Sequence, residues 1–261
     1  KNNLNNVELG SNHSHQSNYK NILKKKDFSY LVHNYFPIPR KSFVVNIASH
    51  NKKIRSMSIR HAYRAIKLCK NINANLYTIH PGFLDDPISS NKNQKNYDFV
   101  WRKKNKKKNY SKSFSFMINS LKKIARFAKK HKIKVAIETE GSYEKKDLLL
   151  MQKPSEYIEF FKHFKKNEIS INLNLGHLNL ASKAFKFSKN EFIKLIQSRI
   201  IAVEISHNNG KLDQHLPLKK NSWSLNLLKN PYLKNAYKIL EFRNSNVKDI
   251  FNSIKILNAL T

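Results

Sequence analysis

The sequence predicts an α/β chain folded as a (β/α)8 TIM barrel. Three observations carry that expectation. Short apolar, β-branched runs alternate with stretches of helical period along nearly the whole chain. Antiparallel hairpins need no helix between strands, so a parallel βα repeat is favoured. Acidic, amide and imidazole residues also fall just past the C-terminal ends of strands, where a closed barrel gathers its functional groups. Finally, the strand centres near residues 7, 31, 77, 136, 172, 203 and 239 number one fewer than closure needs. The expectation is one domain over 1–261, with its first βα unit outside a chain that begins at Lys1.

The elements follow in order. Val7-Glu8-Leu9 is a brief strand. Residues 28–35 form a second that delivers His33, and Pro37 and Pro39 then end regular structure. Residues 43–47 are extended. A helix capped by Ser56 or Ser58 runs to about Asn71, with Ile59, Ala62, Ile66 and Cys69 on one face. The lone Cys69 is therefore a core residue. The strand 75–79 ends in His80-Pro81-Gly82. Residues 91–112 are irregular, and the run RKKNKKKN from Arg102 is a like-charge block that cannot pack. Phe114, Met117, Ile118, Leu121, Ile124, Ala125 and Ala128 mark an amphipathic helix.

Further along, the strand 134–137 delivers Glu138 and Glu140. Pro154-Ser155 opens a helix with Tyr157, Ile158, Phe161 and Phe164 inward. The strand 169–175 delivers Asn174 and His177 around Gly176. Ser188 to Glu191 is a capping box for the next helix. Residues 200–217, IIAVEISHNNGKLDQHLP, begin as a buried strand and turn abruptly into Glu204, His207, Asn208, Asn209, Asp213 and His215. Oxygen donors and imidazoles packed so closely suit a divalent metal. The strand 237–240 delivers Glu241, and a helix bearing Val247, Ile250, Phe251, Ile254 and Leu257 on one face closes the chain.

Composition narrows the function classes. With one cysteine there is neither a disulfide framework nor a Cys-based zinc site, which fits a cytoplasmic setting. No segment has the length and apolarity of a membrane span. The net charge of +33 is compatible with a nucleic-acid surface. Its lysines are nevertheless scattered among abundant Asn and Ile, the surplus an AT-rich coding sequence would give.

The order His33 (LVHNYFP), His80 (IHPG), Glu138 (IETE), Asn174 and His177 (NLNLGH), Glu204 to His215, then Glu241 (ILEF) resembles the xylose isomerase-like TIM-barrel superfamily. That group holds sugar-phosphate isomerases and epimerases together with abasic-site nucleases of the endonuclease IV class. The resemblance implies a divalent metal, Mn or Mg, on Glu138, Asn174, Glu204 and Glu241. It implies an isomerase or epimerase acting on a small carbohydrate by proton transfer through an enediolate. Glu138 and Glu241 would remove and return the proton, His177 and His215 would position hydroxyls or shuttle protons, and His33 and His80 would shape the pocket.

Two positions depart from the family pattern. Asn174 stands where an Asp is usual, and Glu204 where a His is usual; His207 also stands where Asp is more common. The quartet keeps three negative charges, because one change removes a charge and the other adds one. The rival implication is a nuclease with a three-zinc cluster on His33, His80, Glu138, Asp213, His215 and Glu241. Asn174 and Glu204 weaken that reading, as does Leu216-Pro217-Leu218-Lys219-Lys220, which lacks the glycines usual there. A barrel that has lost catalysis and only binds is the third alternative. A small carbohydrate is favoured over nucleic acid as partner. A barrel lacking one strand would leave an open edge and favour a homo-oligomer.

Overall fold

The computed structural model describes residues 4–11, 14–24, 28–91, 98–101 and 109–260. In chain order the elements are β1 (Asn6–Leu9), α1 (Tyr19–Lys24), β2 (Ser29–His33), α2 (Lys52–Asn71), β3 (Leu76–Ile79), β4 (Ser89–Asn91), β5 (Asp98–Val100), α3 (Tyr110–His131) and β6 (Lys134–Glu138). There follow α4 (Pro154–Phe161), β7 (Ser170–Asn174), α5 (Leu175–Phe185), α6 (Lys189–Ile196), β8 (Ile200–Ile205), α7 (Ser224–Leu228), β9 (Tyr237–Leu240) and α8 (Val247–Asn258). Apart from the antiparallel β4–β5 pair, the strands run in chain order and pair in parallel, with a helix after each, the repeat of a TIM barrel. Seven such strands are present among the described residues.

The chain forms two compact units, Lys1–Asp86 with Asn105–Ile137, and Pro87–Lys104 with Glu138–Thr261. In the first, β1, β2, β3 and β6 lie side by side, with Val32 opposite Tyr77 and His33 opposite Thr78. Buried Ala62, Ala65, Ile66 and Cys69 of α2 and Met117, Leu121 and Ile124 of α3 supply its helical core. Tyr63 stacks on Phe127 at 4.1 Å between ring centres. The segment 43–47, expected to be extended, forms no strand: it has no regular structure and runs into a turn at Ile47 and Ala48. It is tied down instead by Ser120 Oγ, which donates to the Ile47 carbonyl at 2.7 Å.

In the second unit β7, β8 and β9 lie side by side, and the register places Asn174 opposite Glu204 and Glu204 opposite Ile239. Tyr157 of α4 meets Phe192 of α6 edge-on at 4.9 Å.

Several local expectations need correction. The helix α2 begins a turn earlier than Ser56 or Ser58 suggests: Asn51 is its cap, accepting from the Lys53 and Ile54 N–H groups. Ser58 lies inside the helix and bonds back to the Ile54 carbonyl at 2.9 Å. On α4 the inward residues are Tyr157 and Phe160, while Ile158 is exposed and Phe161 half-buried, because the stripe is offset by one residue. Val247 is likewise exposed at the start of α8. The helix α5, opening directly at the end of β7, adds an element the sequence reading did not contain, and the small β4–β5 pair reaches into the segment read as irregular. The basic run from Arg102 falls outside the described residues up to Lys108.

His61 is the largest change. Sequence places it, with His50, His131 and His163, on the surface, whereas it is buried against Tyr35 and Phe43 at 5.5 and 5.9 Å between ring centres. It shares the inward face of α2 with Ser58, Ala62 and Ala65. Burial lowers its pKa to about 4, so it is neutral there.

Candidate active site

The second unit brings together Glu138, Asn174, His177, Glu204, Asp213, His215 and Glu241. Glu138, Asn174, Glu204 and Glu241 sit at the ends of strands, His177 in the first turn of α5, and Asp213 and His215 on the loop after β8. Glu138 is the last residue of β6, Asn174 the last of β7, and Glu204 lies near the end of β8. Glu241 follows β9, its N–H donating to the Ile205 carbonyl at 3.2 Å, so it stays in register with β8. Asn174 both ends β7 and caps α5: its Oδ1 accepts the His177 N–H at 3.1 Å. That cap fixes His177 in the first turn of α5.

Asp213 and His215 return from β8 on a loop closed by a two-way backbone bridge between His207 and Leu216. His215 adopts φ 47°, a left-handed conformation rare for a side-chain-bearing residue. The Arg243 N–H on its carbonyl, at 3.0 Å, helps to hold it there.

The amide nitrogen of Asn174 is the focus of the arrangement. It donates to Glu204 Oε2 at 2.8 Å and Glu138 Oε1 at 2.9 Å, with Glu241 Oε2 at 3.2 Å. His177 Nδ1 donates to the Thr139 carbonyl at 2.9 Å and lies 3.1 Å from Glu138 Oε1. His215 lies between two carboxylates, with Nε2 3.0 Å from Asp213 Oδ2 and Nδ1 3.0 Å from Glu241 Oε2. Asp213 Oδ2 is also 3.7 Å from His177 Nε2.

Electrostatics follow from this packing. Burial alone would depress both histidines, but Asp213 and Glu138 hold His177 well above its usual value. Asp213 and Glu241 bring His215 to about 9. Burial would push the Asp213 carboxyl up, yet His215 and His177 hold it well below the usual range.

Within the second unit, two sets of described residues present donors to a divalent cation. His177, Asp213 and His215 place two imidazole nitrogens and a carboxylate oxygen within 4.8 Å of one another. This donor set suits zinc and other borderline metals. Glu138, Glu204 and Glu241 form a harder, all-oxygen set whose centre faces the Asn174 amide nitrogen. The donor chemistry therefore fits a divalent cation, although Asn174 turns a donor rather than its oxygen toward the glutamates.

The other expected residues are placed as follows. His33 and His80 lie together in the first unit, ring centres 5.2 Å apart and edge-to-face, with His33 Nδ1 2.8 Å from Thr78 Oγ1. His207 leans on Trp223 at 6.2 Å, and burial and Lys219 lower its pKa.

Sequence reasoning passed over two residues. Asn172 donates to Glu204 Oε1 at 2.6 Å, and Thr139 Oγ1 accepts the Asn174 N–H at 2.9 Å. The signal for Asn172 was available, since it lies two residues before Asn174 and so shares its face of the strand.

Comparisons with known proteins agree with this architecture. A family model described as xylose isomerase-like TIM barrel matches residues 8–256. The uncharacterized protein MJ1614 of Methanocaldococcus jannaschii is 26% identical over 207 residues, which is 79% of this chain and 69% of that protein. Among solved structures, a D-tagatose 3-epimerase-like protein superimposes with a TM-score of 0.71 at 21% identity, covering 98% of this chain and 86% of the other. Endonuclease IV from Thermus thermophilus superimposes with a TM-score of 0.57 at 12% identity, covering 93% and 79%.

Proposed function

The chain belongs to the xylose isomerase-like TIM barrel family, and from that premise we propose that it is a divalent-metal-dependent sugar or sugar-phosphate isomerase or epimerase. One observation carries the reading. Glu138 and Glu241 approach the same centre, and each has an imidazole nitrogen at its back, His177 at 3.1 Å and His215 at 3.0 Å. Moving a proton between two carbons, or between two faces of one carbon, needs such a pair of carboxylates: one accepts the proton and the other holds one to return.

On this reading a ketose or aldose lies between Glu138 and Glu241. One carboxylate takes the proton beside the carbonyl, giving the enediolate, and the other protonates the new position. His177 and His215 hold the two carboxylates in line and exchange protons with them. Asp213, between the two rings, keeps both imidazoles oriented. A divalent cation held by residues of this site would supply Lewis-acid polarisation of the substrate oxygens. Depth of burial favours such chemistry, because Glu138, Glu204 and His215 are all withdrawn from water.

The test is a panel of aldoses, ketoses and their phosphates, assayed with Mn²⁺, Mg²⁺ or Zn²⁺ beside a duplex containing an abasic site. Conversion of one sugar is expected, reduced by about 10² to 10⁴ in Glu138→Gln and in Glu241→Gln. Cleavage of the abasic duplex with no sugar converted would overturn the proposal in favour of the nuclease.

A further inference from the structure

The two long helices of the first unit carry cations without acids. Seven Lys and Arg lie on α2 and six on α3, with no Asp or Glu on either. The much shorter α4, α6 and α8 each hold an acid all the same, Glu156, Glu191 and Asp249 among them. A lysine surplus spread evenly by composition would leave acids on the longest helices too. This face is therefore more basic than the chain's average.

Where α2 and α3 pack together they leave a cleft of about 440 Å³. Ile59 and Phe116 line it and are half-buried, whereas Lys122, Lys123 and Arg126 line it and are exposed. Apolar groups thus lie deeper and cations stand at the rim. The guanidinium of Arg55 lies over the Phe116 ring at 4.0 Å and also donates to the Ser49 carbonyl, which fixes a fourth cation in place. None of these four cations has a carboxylate partner among the described residues. Along α3, Lys122, Arg126 and Lys130 recur every fourth residue, so they share one side of the helix with roughly 6 Å of rise between neighbours.

The kind of anion follows from what else the face presents. Adhering to a membrane calls for apolar side chains that project. No large apolar residue of α2 is exposed, and on α3 only Tyr110, at its first position. A chain of phosphates fits better. The Arg fork and the Lys ammonium both engage phosphate oxygens, and a row of cations meets successive phosphates of one strand. Because the row borders a recess with apolar walls, it suits a single strand, whose backbone follows a positively charged groove.

We propose that the α2–α3 cleft binds single-stranded nucleic acid through its phosphates. No residue of the candidate active site takes part, so the surface is independent of any sugar conversion.

The experiment is fluorescence anisotropy on the full chain with a labelled oligo-dT of about 20 nucleotides, longer than the roughly 4–16 that one groove occupies. Lys122→Gln, Lys123→Gln and Arg126→Gln together should weaken binding by about 10-fold or more and flatten the salt slope by about two, at about 0.7 per phosphate contact. Gln is close to Lys and Arg in helix propensity, so α3 is retained. A charge-conserving triple, Lys122→Arg, Lys123→Arg and Arg126→Lys, should hold the affinity within about threefold. A control triple, Lys194→Gln, Lys229→Gln and Lys248→Gln, removes three exposed cations of the second unit and should cost no more than about twofold.

Equal losses in the cleft and control triples would assign the binding to diffuse charge and overturn the proposal. So would absence of binding by wild type at about 50 mM salt, or a charge-conserving triple as weak as the Gln triple. Displacement of the oligonucleotide by phosphatidylserine vesicles at equal phosphate concentration would overturn it in favour of a lipid surface.

Discussion

His215 lies between Asp213 and Glu241, and this couples its proton to the stability of the metal-free fold. Its folded pKa of about 9 exceeds the ordinary 6.5, so the folded state binds the proton more tightly than the unfolded chain. The stabilisation is complete below pH 6.5 and is lost as pH rises through about 9. Denaturant midpoints of chelator-treated protein should therefore fall between about pH 6.5 and 9.5. His215→Gln should flatten that slope in part, the remainder belonging to His177, which Asp213 and Glu138 also hold above its usual value; an equal slope in the variant would contradict the assignment. Much of the site is legible at this scale. Glu138, Glu204 and Glu241 announce themselves as acidic residues at strand ends, and Asp213 and His215 as a polar cluster following β8. The orientation of the Asn174 amide is not legible, because it depends on a backbone N–H of α5, a helix the sequence does not reveal. The buried His61 is missed for a related reason: a histidine beside two alanines reads as a gap in an apolar face until the aromatic rings of Tyr35 and Phe43 are placed over it.

The element that organises the site is α5. Its first turn carries His177, and the chain after β6 passes against it so closely that a Cβ on Gly141 would lie 1.9 Å from the His177 carbonyl oxygen. Gly141→Ala must therefore push the first turn of α5 away from Glu138. A destabilisation of about 1–3 kcal/mol, the usual cost of overpacking, is expected in urea unfolding, together with weaker metal binding. An alanine variant with unchanged stability and metal affinity would show that the approach is not constraining. The sequence hides α5 because Asn174-Leu175-Gly176 has the look of a turn: a polar strand end followed by a glycine. In the structure one residue both closes the strand and caps the helix, so the two elements share a boundary with no linker between them. The start of α2 is misplaced on the same principle, since Asn51 is as good a cap as Ser56 or Ser58 and lies a turn earlier.

For the molecule as a whole, the βα alternation survives intact from sequence to structure, because strand and helix periods differ and each apolar run is bounded by its own polar signal. What the sequence leaves open is the use of the +33 charge. If the lysine surplus is compositional, DNA binding should be weak, independent of sequence, and steeply lost between about 50 and 200 mM salt, roughly 10³-fold or more for six phosphate contacts. Sugar conversion over the same range should stay within about twofold, because Glu138, Glu204, His177 and His215 are buried away from bulk ions. No helix among the described residues is long and apolar enough to cross a membrane. The central claim, that Glu138 and Glu241 pass a substrate proton, is tested most directly by proton exchange with solvent. Substrate incubated with the metal-loaded protein in D₂O should acquire deuterium at the carbon beside the carbonyl. Glu138→Gln and Glu241→Gln should each suppress net conversion, while at least one of them still labels the substrate from the side that keeps its carboxylate. Conversion without deuterium, at an undiminished rate in both variants, would contradict the account.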